Sequence, residues 1–74
     1  MVKIDPLVGQ RLAQRRKKLG LDQQQLAEKS NLKKKYIADI EAGKINPRVH
    51  TLAIIAVALN MELLELIQGE KYDR

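Results

Sequence analysis

The chain has 74 residues, 45% hydrophobic and 31% charged, a balance that suits one small folded domain and neither a disordered nor a multidomain protein. It has a net charge of +5, no Cys, Phe or Trp and a single His, which leaves no disulfide staple, no cysteine nucleophile and no metal-ligand spacing. Residues 1–50 hold 12 Lys+Arg against 5 Asp+Glu, whereas residues 51–74 hold 2 against 4, so one basic face is expected to meet a polyanion.

No apolar run approaches the roughly 20 residues needed to span a bilayer. The stretch Met1–Pro6 lacks the apolar region of a signal peptide, and the expected location is the cytoplasm. A membrane surface is the rival polyanion, but the basic stretches carry no aromatic anchor other than Tyr36.

In chain order, Val8, Leu12, Arg16 and Leu19 recur at three to four residues and share one face of a first helix, which Gly20 ends. Asp22, with Gln25 three residues on, forms a capping box that opens a short second helix at Gln23, with Leu26 and Ala27 inward. Asn31 suits the left-handed residue of a tight turn. A third helix is predicted from about Lys33 to Ala42, with Ile37 and Ile40 inward and Gly43 closing it. Asn46 is the expected cap of a fourth helix, with Pro47 in its first turn and Val49, Leu52, Ile55, Ala56 and Leu59 on one face. Asn60 ends that helix. A last short helix, about Glu62 to Ile67, precedes a polar tail over 68–74.

The expected architecture is therefore all-α, a compact five-helix bundle formed by a single domain over 1–74 with its core at about 7–67. The short second and third helices, joined by a three-residue turn, form a helix-turn-helix. Ala27 is small where the two helices cross, and Leu32, Ile37 and Ile40 fill the angle between them.

The stretches "VGQRLAQRRKKLGLDQQQLAEKS", "YIADIEAGKINP" and "LAIIAVAL" resemble the phage-repressor and Cro-like (XRE) helix-turn-helix family, with a lambda-repressor-like DNA-binding domain. "SNLKKKYIADIEAG" also resembles restriction–modification controller proteins, a branch of that family. The resemblance implies a transcriptional regulator that binds a palindromic double-stranded operator as a homodimer, with the third helix in the major groove. It also implies that Gln23 contacts phosphate, that Lys34, Lys35 and Asp39 read bases, and that Arg16 and Glu41 form a buried ion pair. The chain departs from the family pattern at Asp22, Asn31, Lys33 and Arg48. Lys33 stands where Ser or Thr would cap the third helix, which leaves that end for a phosphate or base edge to complete.

Helical projection gives the same face without the family. Ile37, Ile40 and Glu41 cluster on one side of the third helix. Ala38 and Ala42 lie opposite, flanked by Lys34, Lys35 and Asp39, so small side chains sit at the centre of a polar face. Small residues let a helix press on base edges, lysines donate to guanine, and a carboxylate accepts from cytosine N4. The base-reading candidates are Lys34, Lys35, Ala38 and Asp39, and the phosphate candidates are Gln23, Lys33, Tyr36, Lys44 and Arg48. Asp39 has a second reading, as an exposed partner for Lys35 at i,i+4. Tyr36 either packs at the helix boundary or touches a phosphate. Arg16 lies on the apolar face of its helix, where an inward Glu41 would meet it. Of the other cations there, Arg11 is a further phosphate candidate, and Arg15, Lys17 and Lys18 are expected in solvent, as is His50. Leu63, Leu64, Leu66 and Ile67 of the last helix are the dimer candidates.

The chain offers little for catalysis, with one histidine and no glycine-rich phosphate loop, and the expectation is no enzyme, no cofactor, no metal and no small-molecule ligand. The alternative class is a protein-interaction module on the same fold, an antitoxin- or coactivator-like adaptor. Such an adaptor would not need a basic third helix. RNA ranks behind duplex DNA because no exposed aromatic pair is present for stacking.

Overall fold

The computed structural model describes residues 6–68. Five helices follow one another: α1 (Val8–Lys18), α2 (Gln23–Ser30), α3 (Lys34–Glu41), α4 (Val49–Ala58) and α5 (Leu63–Gln68). No strand occurs among the described residues. The bundle measures 34 × 23 × 18 Å. The tail beyond Gln68, predicted to be polar, lies outside the described residues. No helix among the described residues is long and apolar enough to cross a membrane.

The helix boundaries follow local chemistry. The Asp22 carboxylate accepts from the Gln25 N–H at 2.7 Å, and the Gln25 side-chain carbonyl accepts from the Asp22 N–H at 2.8 Å, so the capping box is complete. Asn31 (φ 58°) and Asn60 (φ 56°) take the left-handed conformation at the ends of α2 and α4, as expected of a short polar residue there. Lys33 is the N-cap of α3, extended and without a side-chain cap bond. The fourth helix departs from expectation. Its N-cap is Arg48 (φ −76°, ψ 155°), and Pro47 lies outside the helix with its ring buried. The chain stays extended through Arg48, so neither Asn46 nor Pro47 serves the first turn.

The core is aliphatic. Leu12, Leu26, Ile37, Ile40, Leu52, Ile55, Leu59, Leu66 and Ile67 are fully buried. Each contributes about 1.5–3 kcal/mol by leaving water. Two expected core residues miss it. Leu19 is the C-cap of α1 and is 42% exposed, because the helix stops before its side chain reaches a neighbour; Leu21, past the Gly20 turn, packs there instead. Val49, in the first turn of α4, is 39% exposed.

Gly9, absent from the expected core, is buried where α1 crosses the end of α3. A Cβ placed on it would stand 2.2 Å from the Ile40 carbonyl oxygen and 3.2 Å from that of Glu41. Only a residue without a side chain permits this approach. The packing order that results is α3 on α1 and α2, α4 on α2 and α5, and α5 on α4 and α1.

Candidate nucleic-acid interface

The turn between α2 and α3 is short and closed. The Leu32 N–H donates to the Ala27 carbonyl at 2.8 Å, and the buried Ser30 hydroxyl donates to the Leu26 carbonyl at 2.7 Å. Ala27 is buried at the crossing, and Leu32 packs against the core. These contacts set α3 at the surface with Ile37 and Ile40 inward.

One polar network anchors α3 from behind. Arg16 donates through Nε to Glu41 Oε2 at 2.7 Å and through Nη2 to Glu41 Oε1 at 3.0 Å, a two-point pair; its Nη1 donates to the Leu21 carbonyl at 2.8 Å. Both side chains are about nine-tenths buried. The hydrogen bond to Glu41 raises the Arg16 guanidinium above its ordinary value; burial opposes that rise and the Glu41 charge adds to it. With Glu41 ionised, a guanidinium raised in the fold keeps its contribution to stability as pH rises to the ordinary arginine range, so mild alkali does not remove it. The Gln23 amide donates to Glu41 Oε1 at 3.0 Å. The side chain expected at phosphate is thus tied to the ion pair, and one amide hydrogen remains for an outside acceptor. Arg16, Asp22, Gln23, Gln24 and Lys34 line a shallow depression at this end of the helix pair.

The outward face of α3 matches the projection. Lys34, Lys35 and Ala42 are exposed, and Ala38 and Asp39 are half-buried. Lys33, Lys44 and Arg48 are exposed around it. In the free protein Lys35 Nζ donates to Asp39 Oδ2 at 3.2 Å, the surface pair that was the second reading of Asp39. Tyr36 is half-buried against the core, the packed one of its two readings. His50 is exposed, as expected.

Two expectations about cations fail. Arg11 does not stand ready for phosphate: its Nε and Nη2 donate to the Leu66 and Ile67 carbonyls at 2.9 and 2.7 Å. Arg15 is not merely solvated: its Nε and Nη2 donate to the Leu59 and Asn60 carbonyls at 3.1 and 2.9 Å. The dimer candidates also divide. Leu66 and Ile67 have no exposed surface and belong to the core, so they are unavailable to a partner. Leu63 is half-buried and Leu64 is 38% exposed, while Val57, which the sequence reading placed nowhere, is 80% exposed on α4. No group of three or more His, Cys, Asp or Glu among the described residues is placed to hold a metal.

Two short helices locked across a tight turn, with the second presenting a basic, small-centred face, define a helix-turn-helix domain. A helix-turn-helix family profile matches residues 12–66, and the chain belongs to that family, the XRE-type transcriptional regulators. It is 44% identical over 63 residues to the immunity repressor protein of Bacillus phage phi105, covering 85% of this chain; the chain spans 44% of that repressor's length. Among solved structures it is similar to the restriction–modification controller protein C.AhdI of Aeromonas hydrophila, with a TM-score of 0.77 and 37% identity over 80% of this chain and 86% of that one. It is also similar to SinR, the master regulator for biofilm formation, in its complex with DNA, with a TM-score of 0.77 and 33% identity over 80% of this chain and 95% of that one. These relatives are regulators rather than enzymes.

Proposed function

We propose that this protein is a sequence-specific regulator that binds a palindromic double-stranded operator as a homodimer, with α3 in the major groove. The observation that carries the reading is the uncapped, lysine-bordered N-terminus of α3. Three cations at Lys33, Lys34 and Lys35 oppose the helix dipole, and no side-chain acceptor completes the end. An anion drawn from outside relieves both. Lys34, Lys35 and Asp39 then face base edges, with Ala38 close to them, and Gln23, Lys33, Lys44 and Arg48 surround the groove at phosphate positions. That the similar SinR structure is a complex with DNA supports a nucleic-acid partner.

The dimer surface is assigned to α4 and α5, where Val57 and Leu64 leave apolar area uncovered. A two-fold axis beside them would place the same patch of each copy against the other. Selection of bound sequences from random duplex DNA tests the reading. The expected product is a palindrome with half-sites about 34 Å apart, one helical turn. Enrichment of no sequence would sink it and favour the adaptor. Val57→Asp should leave the fold intact and yield a monomer by sedimentation equilibrium; a dimer that persists would move the interface elsewhere.

A further inference from the structure

The C-terminal carbonyls of a helix lack partners within the helix and carry the negative end of its dipole, and a basic residue in the last turn commonly answers them. Neither α4 nor α5 has one. Their carbonyls are met instead from α1. Arg15 meets the carbonyls of Leu59 and Asn60, the C-cap of α4 and the residue after it, and Arg11 meets those of Leu66 and Ile67 in the last turn of α5, each through two N–H donors at 3.1 Å or less. Arg16, the next residue on α1, holds Glu41 of α3 by a similar two-point contact. One helix therefore grips three others through three guanidinium groups.

This arrangement has a directional consequence. Val57 and Leu64 lie within one turn of the carbonyls that Arg15 and Arg11 hold. The reading helix α3 packs on α1 and α2, and α5 packs on α4 and α1. The angle between the base-reading face and the dimer patch is thus set along two routes, through α2 to α4 and through α1 to the ends of α4 and α5. A guanidinium fork fixes two carbonyls in one plane, whereas a lysine offers a single charge on a flexible stem.

We propose that Arg11 and Arg15 are positioning residues that set the spacing and relative rotation of the two half-sites this protein accepts, without touching DNA. The inference rests on the dimeric operator reading above. It assigns to α1 a share of sequence selectivity that comes from geometry and not from base contact.

Arg11→Lys and Arg15→Lys test it, made singly so that the other clamp remains, with far-UV circular dichroism to compare the folds. Each is titrated against a duplex with one half-site and against operators whose central spacer is lengthened or shortened by one base pair. Such a change turns one half-site by roughly 34° and moves it by roughly 3.4 Å. Where the geometry forbids simultaneous engagement, the wild-type protein should lose about 10²-fold or more, the avidity of the second site. The variants should bind the single half-site as the wild type does, yet lose less than about tenfold on the altered spacers. A spacer profile identical to that of the wild type would overturn the inference while leaving the dimeric reading in place. Parallel loss of single-half-site binding and of folded signal would overturn it too, by showing a purely structural role. A wild-type protein with no preference for spacing would overturn the dimeric reading and this inference with it.

Discussion

Gly9→Ala puts one methyl group between two backbones. The added carbon would lie 2.2 Å from the Ile40 carbonyl oxygen and also press on Glu41, and the neighbouring atoms are backbone, which cannot swing aside as a side chain would. The helices must part by about 1 Å or more to restore ordinary contact distance. Overpacking of this kind costs about 1–3 kcal/mol. Ala gains at most about 1 kcal/mol over Gly from helix propensity, and less near the first turn where Gly9 sits. The net effect should be a loss of about 1–2 kcal/mol. A 74-residue domain has a total stability of only about 4–11 kcal/mol, so the change is easily measured. Urea unfolding followed at 222 nm should show a lower midpoint with an unchanged slope. A midpoint equal to or above the wild type would refute the close crossing and leave only propensity. Gly20→Ala serves as a control of another kind: nothing stands within 4 Å of its added carbon, and its cost of about 1–2 kcal/mol would come from the left-handed backbone at φ +74°.

Arg16→Met should cost about 3–5 kcal/mol by leaving the Glu41 charge buried without its partner. The double variant Arg16→Met with Glu41→Leu should recover much of this in the same urea assay, and no recovery would argue against a buried pair. Affinity for a selected operator should fall about 10³–10⁵-fold between 50 and 200 mM salt if about 6–10 phosphates are neutralised per dimer, and Lys33→Ala should weaken all sequences alike. A flat salt response would favour the adaptor. Asp39→Ala should leave binding to random duplex equal or tighter while preference at one base pair per half-site falls by about 1–3 kcal/mol. Unchanged preference at every position in that titration would leave Asp39 as the surface partner of Lys35 and nothing more.

What could be read from the sequence was what the chain settles locally. The Asp22–Gln25 box spans four residues, and the left-handed turns at Asn31 and Asn60 need only their own side chains, so composition and spacing disclose them. The Arg16–Glu41 pair is distant in sequence but legible for another reason: a cation on an apolar stripe must find a carboxylate, and Glu41 shares a face with Ile37 and Ile40. The contacts of Arg11 and Arg15 left no such trace. Their acceptors are backbone carbonyls, which every residue has, so no residue type at positions 59, 60, 66 or 67 announces them. Gly9 was missed for a related reason, since a glycine inside a helical pattern shows its purpose only when the neighbouring backbone is in place. The dimer candidates divided for a reason of composition: four apolar residues crowd a six-residue helix, and periodicity over less than two turns does not decide that Leu66 and Ile67 face inward while Leu64 stays exposed.

The clamps also change how the charge of the chain should be counted. The sequence presents the basic front as one population, yet the fold divides it. Arg16 is offset by Glu41, and the guanidinium groups of Arg11 and Arg15 are held to carbonyls at helix ends, away from α3. Lys35 is offset by Asp39 across 3.2 Å. What remains exposed around α3 is Lys33, Lys34, Lys44 and Arg48, and Lys33 and Arg48 each occupy the N-cap of a helix that has no side-chain cap. A cation at that position is unfavourable in the free protein, because it adds to the positive end of the dipole. Two such positions, one opening α3 and the other opening α4 just beyond the Lys44 turn, put unanswered N–H donors and unanswered cations in the same places. A phosphate answers both at once, with the helix end supplying directional donors and the lysine or arginine supplying charge. On the reading proposed above, the lysine triplet marks an end of α3 that nucleic acid would complete, and α1 would hold that face in register with a second copy.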